Sequence, residues 1–551
     1  LKDGKIVVAI ETERLTRVKH DGGDDNPAIW YCLNAEGITI KDVDLVVQNA
    51  NFDMFDRGNS PWGRFRIVDE ARHVVSISHH LAHAYSVIGT APFSDMAVMV
   101  VDGCGNCFAD CIDLEGAIIP ERPANDDLEQ LYFEKDSYYE FRSGRLRPVY
   151  KDFSPRSRRQ GYPMYPTTTM HSIGGAYLGA SVYVFRGLDD PGKLMGLAPF
   201  GRPAAITDEM FSLRDGRVFL NYDWMTRYRQ PARDAKSFEQ DFQYYADIAY
   251  WVQREVERAL LYQIQHRYAL CPAEHLGYAG GVALNAVANG RIKAESPFKD
   301  TYVQPASADS GLAIGCAYFG WLEVLGQPRH RHSGRMDLGR RYDDAAVLAA
   351  LTPEADRLTF RKDPDGVESA ARLLLEHKVI GWFQGGAEFG PRALGARSIL
   401  ALPSRAETAA FINNHIKFRE DFRPFAPSVL AEDASTYFEL DEASPYMTFV
   451  VPVRPHWRAE MPAVVHRDGT ARVQTVHQSL TPRFHALLEA VKRGAGHSVL
   501  LNTSLNMRSH PIVETPAEAV AMLGASALDA LIIDDWVITK KSSGVIGGAH
   551  E

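Results

Sequence analysis

The chain has 551 residues, and at about 100–200 residues per domain that excludes a lone small module and points to two to four domains. Its 60 Lys and Arg against 70 Asp and Glu leave a formal charge of −10, which argues against a non-specific nucleic-acid binder, although a local basic pocket is compatible with it. With 45% apolar and 24% charged residues, wholesale disorder, collagen and low complexity are poor readings of the chain.

The chain opens at Leu1-Lys2-Asp3-Gly4-Lys5, which reads as a hairpin turn with a first strand expected upstream; no initiator Met or signal peptide is present. Residues 5–11 (KIVVAIE) read as a strand, 27–35 as a helix, and 44–48 and 74–78 as strands, the last leading into a helix over 79–88. Residues 96–102 (MAVMVVD) form a continuous apolar run, as expected for a strand buried on both faces, with 108–112 as its returning partner. Residues 120–166 are polar, aromatic and basic, and read as an irregular insertion. A long helix over 238–268 precedes a strand and glycine turn at 277–281, a helix over 282–290, a strand at 302–304 and an apolar helix over 310–324. Residues 326–343 are rich in Gly, Arg and His and are the best linker candidate. Beyond it, strands are expected at 379–384, 397–402, 427–430 and 498–502, with a helix over 516–524. The most apolar stretch, 519–533, is broken by Gly524, Ser526 and Asp529, so it reads as a helix running into a strand rather than a membrane span. Six cysteines make no disulfide framework, so a reducing cytoplasm is expected. No internal repeat is visible.

Two constellations carry chemistry. In the first, His79 and His83 of SHHLAHA stand four apart, which puts both rings on one helix face. The Glu of a zinc protease is absent. Asp102 ends the apolar strand beside Gly103, and Asp309-Ser310 sits where a strand hands over to a helix. Two His and two carboxylates suit a divalent metal such as Fe, Mn or Zn; a structural His pair and an N-capping Asp309 are the bland alternatives. Cys104, Cys107 and Cys111 lack a clear fourth ligand and read as buried residues, not a zinc site. The glycine turns at Gly174-Gly175 and Gly280-Gly281, with Asn285 after the second, suggest backbone cradling a nucleotide, though neither is a phosphate-binding loop motif. Lys193, beside glycines, is a candidate phosphate contact, and Asp190 a candidate base for an acceptor hydroxyl; a solvated turn is the rival reading for Asp190.

The second constellation is cationic. Arg392 and Arg397, followed by Ser398, lie in the Gly- and Pro-broken segment EFGPRALGARS. Lys417 opens KFREDFRPF, in which cations alternate with aromatics; Arg472 lies in TARVQTV; and Arg508 follows the polar turn at Asn502-Thr503. Guanidinium groups suit bidentate phosphate binding, and several converging in one site suit a dianion such as carbamoyl phosphate together with ATP. Solvated surface arginines are the bland alternative.

SHHLAHA, VDGCG, GKLMGLAPFG, GGVALN and DSGLAIG, followed by EFGPRALGARS, FRPFAP, TARVQTV and LNTSLN, occur in the order used by the two-domain O-carbamoyltransferases that tailor antibiotics and nodulation factors, and the chain resembles that family over nearly its whole length. The resemblance implies an α/β protein with an actin-like, two-lobed domain over 1–335 and a YrdC-like domain over 345–551. It implies that His79, His83, Asp102 and Asp309 bind a metal, iron first with manganese or zinc as alternatives. It also implies that Arg392, Lys417, Arg472 and Arg508 hold carbamoyl phosphate, and that Arg397, Ser398, Asn502 and Thr503 line the nucleotide side. By this reading Mg-ATP and carbamoyl phosphate yield carbamoyl-adenylate, whose carbamoyl group passes to a small-molecule hydroxyl, with no nucleic-acid or membrane partner. Leu505 and Ser509-His510 depart from the family pattern beside Arg508. Hydrogenase-maturation carbamoyl transfer and an actin-like kinase are the rivals. The aromatics Tyr132, Phe133, Tyr138, Tyr139, Phe141 and Tyr150 are a candidate apolar wall for the acceptor.

Overall fold

The structure, a computed structural model, describes residues 1–49, 66–123, 131–156, 168–187, 191–222 and 234–541. It is mixed α/β with two main sheets. The first has five strands in the order Arg145–Pro155, Tyr132–Arg142, Met96–Val101, His275–Ala279, Asp300–Val303. Met96–Val101 is central, antiparallel to Tyr132–Arg142 and parallel to His275–Ala279. All six of its residues are buried because alternate side chains enter different cores. Ala97, Met99 and Val101 face the helices Ile173–Phe185 and Phe242–Leu270. Met96, Val98 and Val100 face the helix His79–Thr90. That helix is buried along its whole length, and Leu312–Phe319 packs closely across it, with Gly315 against the Ala82 carbonyl.

Two expectations fail here. Residues 108–112 do not return as the partner of Met96–Val101; Phe108–Asp110 is one short helical turn. The partner lies inside the supposed irregular insertion, as the long hairpin Tyr132–Arg142 and Arg145–Pro155. Its buried charges pair with one another: Lys135 with Asp152 at 2.9 Å, Lys151 with Glu134 at 2.6 Å and Asp113 at 2.7 Å, and Arg267 with Asp136 at 2.7 Å. The Lys151 ammonium stands between the carboxylates of the Cys111–Asp113–Glu134 cluster and supplies its cation. Tyr138, Tyr139, Phe141 and Tyr150 are core residues and form no exposed acceptor wall. Residues 6–11 are not a strand; Ala9 N–H donates to the Leu338 carbonyl.

The second sheet has eight strands in the order Leu358–Lys362, Trp536–Lys540, Ala530–Ile533, Ile380–Phe383, Arg397–Ala401, Val499–Ser504, Ala426–Leu430, Gln474–Val476. Gly366–Leu375 and Pro482–Ala495 cover one face. Residues 327–343 contain neither helix nor strand, yet Met336 and Leu338 are buried with Ala306, Ile314, Phe389 and Leu394, so the connection is packed into the molecule. Among the described residues no helix is long and apolar enough to cross a membrane.

Candidate functional site

His79 and His83 project from the first turns of His79–Thr90, Asp102 follows the central strand, and Asp309 opens the short turn Asp309–Gly311. One donor atom of each lies within 4.8 Å of the others. His79 Nε2 is 2.9 Å from Asp102 and 3.5 Å from Asp309; His83 Nε2 is 3.8 Å and 3.9 Å from the same carboxylates. His79, His83 and Asp102 are buried, whereas the Asp309 side chain is 73% exposed, so the cluster opens on that side. Both ring nitrogens of His83 are buried with no hydrogen-bond partner. Orphaned imidazole nitrogens facing two carboxylates fit a divalent cation by donor number and type.

With no metal among them, the carboxylates draw a proton onto His79 instead. Burial opposes a charged His79 ring, but hydrogen bonds and charge from Asp102 and Asp309 outweigh it and raise the imidazole to about 10. Burial also opposes an ionised Asp102, yet His79 and His83 hold it well below the usual carboxylate range. His79 Nδ1 lies 3.2 Å from Asn49 Oδ1, which fixes the tautomer that leaves Nε2 for a ligand. Asn106 Oδ1 accepts the His79 N–H at 2.7 Å, and Glu134 accepts the N–H groups of His80 and Asn106 at 3.3 and 3.0 Å. Asn49, Asn106 and Glu134 carry no motif and escape a reading of the sequence.

The glycine turns gather around Asp102. Gly280 has φ +93°, and a Cβ there would stand 2.2 Å from the Val101 carbonyl oxygen. This close approach lets Gly281 N–H donate to Asp102 Oδ1 at 2.9 Å. Gly174 and Gly175 open the helix Ile173–Phe185, and a Cβ on Gly174 would meet Gly103 N at 2.8 Å. Ser310 shares the turn of Asp309. Asn285 is spent structurally: it caps the helix Ala286–Glu295 and exchanges two hydrogen bonds with Gln253, each 3.0 Å. Asp190 lies outside the described residues.

The second sheet carries the cations. Lys417 is buried, and its ammonium donates to the Ser504 carbonyl at 2.7 Å and to the Asn506 side chain at 2.6 Å. Burial, then Arg419, Arg423 and Lys19, hold its pKa well below the usual range. Burial and Arg423 lower Arg392 to about 10. Burial and Arg423 lower Arg419 to about 9, with Glu420 opposing. Arg472 is depressed most directly by burial and then by Arg392, Arg419 and Arg423, and its Nε has no hydrogen-bond partner. Arg392, Lys417 and Arg472 thus all feel the charge of Arg423, so the fold gathers these cations in one region, taken below as one pocket. Arg508, 61% exposed, stands at its rim, donating to the Phe418 carbonyl at 3.2 Å. Arg419 and Arg423 belong to the pocket too; the cation–aromatic alternation of KFREDFRPF was their signal, but only the fold shows them converging.

Arg397, Ser398, Asn502 and Thr503, the residues expected on the nucleotide side, lie beneath the loops that carry the cations. The Arg397 guanidinium is buried, donating to the carbonyls of Gln384, Ala396, Gly385 and Glu514 and lying 3.4 Å from the Phe383 ring centre. Ser398 Oγ accepts the Gly395 N–H at 3.1 Å. Asn502 donates to the Ala393 carbonyl, Ser428 and Gln474. These three shape the loop before Arg397–Ala401 from inside the sheet, and Thr503 is half-buried beside them.

The pocket faces the first sheet's helices. Phe422 sits among Phe185, Phe200, Phe238 and Phe242, at centroid distances of 6.1–6.4 Å. Lys193 pairs with Glu420 at 3.1 Å. Gly390, two residues before Arg392, has φ +120°, and a Cβ there would stand 3.1 Å from the Pro305 carbonyl oxygen, at the start of the turn that ends in Asp309.

Residues 1–62 and 60–318 match the family model described as carbamoyltransferase N-terminus, and residues 371–540 match carbamoyltransferase C-terminus. The chain belongs to the O-carbamoyltransferase family. This carbamoyltransferase is 32% identical to nodulation protein NolNO of Sinorhizobium fredii (strain NBRC 101917 / NGR234), over 98% of this chain and 78% of that one. It is 31% identical to the 3'-hydroxymethylcephem-O-carbamoyltransferase of Amycolatopsis lactamdurans, over 63% and 64% of the two chains. Among solved structures, T. kodakarensis HypF aligns with a TM-score of 0.29 and 14% identity, covering 47% of this chain and 38% of HypF.

Proposed function

We propose that this carbamoyltransferase is ATP-dependent and transfers the carbamoyl group of carbamoyl phosphate to a hydroxyl of a small natural product. In this reading residues 1–335 are the actin-like transfer unit and 345–551 the YrdC-like activating unit. The observation that carries it is the pairing, in one chain, of a pocket of mutually repelling cations with a cluster of four metal-type donors.

Arg392, Lys417 and Arg472, with Arg508 at the rim, bind carbamoyl phosphate, and their crowding is relieved by its charge. Water cleaves it to carbamate and phosphate. The carbamate oxygen attacks the α-phosphorus of Mg-ATP and expels pyrophosphate, leaving carbamoyl-adenylate. This passes to the cluster of His79, His83, Asp102 and Asp309. A divalent metal held there, iron first and manganese or zinc otherwise, supplies Lewis acidity. Asn49 keeps His79 in its ligating tautomer, Gly281 orients Asp102, and the exposed side of Asp309 admits the acceptor. The acceptor oxygen bonds to the carbamoyl carbon, AMP leaves, and Asp190 is the candidate base for the hydroxyl proton. The cephem relative's name supports an oxygen acceptor on a small molecule.

The test follows pyrophosphate and carbamoyl-AMP from carbamoyl phosphate and Mg-ATP. Arg472→Ala is expected to abolish both; His79→Ala is expected to keep both and lose transfer. ADP in place of pyrophosphate refutes adenylation in favour of a kinase.

A further inference from the structure

A short N-terminal segment reaches across to the cationic pocket. Residues Thr12–Thr16 form little more than one helical turn, and its one buried residue is Arg14, 1% exposed. Arg14 Nε donates to Glu11 at 2.8 Å, and Nη2 donates to the carbonyl oxygen of Gly390 at 2.6 Å. Arg17 follows in the left-handed region, φ 62°, uncommon for a residue with a side chain. Its guanidinium donates to the carbonyls of Pro511 and Ile512, each at 2.8 Å, and lies 3.3 Å from Glu518. Gly390 stands two residues before Arg392, and Pro511 three after Arg508. Two arginines three positions apart thus each hold one loop of the pocket, and both grip backbone. The same segment runs on through the helix Asn26–Glu36 to the strand Val46–Asn49, whose last residue faces His79.

We propose that Arg14 and Arg17 are positioning residues for the pocket: they strap the loops bearing Arg392 and Arg508 onto the N-terminal segment, so the anion site is complete only with that segment docked. The proposal rests on reading the pocket as the carbamoyl-phosphate site. Its physical reason is repulsion. Arg392 stands among like charges from other segments, Arg423 and Arg472, and its loop is pushed outward when no anion is bound; anchors on carbonyl oxygens hold the loops without adding a group to the pocket. The fork of Arg17 spans two successive carbonyls, which a lysine's point charge does not. The bonds these guanidinium groups make are to backbone carbonyls and to Glu11 and Glu518, so both act through the loops.

The experiment uses the full chain and pyrophosphate formation at varied carbamoyl phosphate. The Arg17 side chain is 31% exposed, so Arg17→Ala tests the strap with little core disruption. Its KM for carbamoyl phosphate is expected to rise by about tenfold to a hundredfold, the scale of loop misplacement near a reacting group. KM for ATP and bound-metal stoichiometry are expected to stay unchanged, with Arg17→Lys intermediate. Amide exchange over residues 508–514 is expected to quicken in Arg17→Ala, a readout that also serves a catalytically dead preparation. Arg14→Lys is expected to behave likewise over residues 388–394. A lower melting temperature with unchanged KM and exchange overturns the inference, because the arginines are then only glue between units. A wild type whose pyrophosphate formation ignores carbamoyl phosphate overturns the pocket reading itself, and the strap with it.

Discussion

Replacing Lys151 by Met tests whether the charges buried behind the metal-type cluster stabilise the fold as a paired set. Lys151 is fully buried, 2.6 Å from Glu134 and 2.7 Å from Asp113. Burial pushes the Glu134 carboxyl up, but Lys151, then His80, overcome it and hold the group at about 2 against an ordinary 4.5. At about 1.4 kcal/mol per pH unit, that difference is worth about 3 kcal/mol at neutral pH. It also matches the roughly 3–5 kcal/mol lost when one partner of a buried pair is removed. In the wild type this contribution is present above pH 4.5 and is lost as the pH falls from there towards 2. In Lys151→Met only burial and weaker neighbours act on Glu134, its folded value rises, and the penalty shrinks as the pH falls towards it. The assay is urea unfolding at pH 7 and pH 5. Adding Glu134→Gln to Lys151→Met is expected to recover part of the loss, since Asp113 is then the one carboxylate left without Lys151, and it still accepts from the Ser78 and Tyr139 hydroxyls. A loss below about 1 kcal/mol at pH 7, the range of exposed pairs, would refute the reasoning.

Inorganic phosphate is expected to raise the melting temperature of the wild type and to leave Arg472→Met unmoved. Arg472→Met without phosphate is expected to melt higher than the wild type, by the equivalent of about 0.5–2 kcal/mol, because it relieves the repulsion from Arg392, Arg419 and Arg423; scanning calorimetry decides. Asn49→Ala is expected to weaken metal binding about 10–100-fold by calorimetric titration while the fold's circular dichroism is unchanged. Gly280→Ala is expected to lose soluble expression or metal binding, because its Cβ collides with the Val101 carbonyl; a soluble variant with full metal content counts against that account.

The metal-type cluster was legible because its signals are local: a His pair one helical turn apart, a carboxylate where a strand ends and another where a strand hands over to a helix. The central strand was legible because a short, unbroken apolar run, MAVMVV, suits a strand covered on both faces, as the structure has it. The hairpin Tyr132–Arg142 and Arg145–Pro155 was not. Glu134, Lys135, Asp136, Lys151 and Asp152 look like solvated loop residues until their partners are known, and pairing across strands or with Arg267 is invisible to periodicity. The setting of Arg397 was not legible either. Its motif suggested a ligand, but its guanidinium satisfies four backbone carbonyls. Arg419 and Arg423 were passed over because convergence in space, not type or spacing, brings them beside Arg392 and Arg472.

Gly390 presses its backbone against Pro305 with no side chain between them. A contact of that kind has no rotamers to adjust and offers no outer atoms to trim or exchange. A larger residue at 390 wedges the Arg392 loop away from the turn that leads to Asp309. Chimeras that graft the C-terminal part of one relative onto the N-terminal part of another therefore inherit working alignment only when this glycine and the proline-led turn it meets come from compatible parents. Matching the surrounding surface charges does not substitute for it.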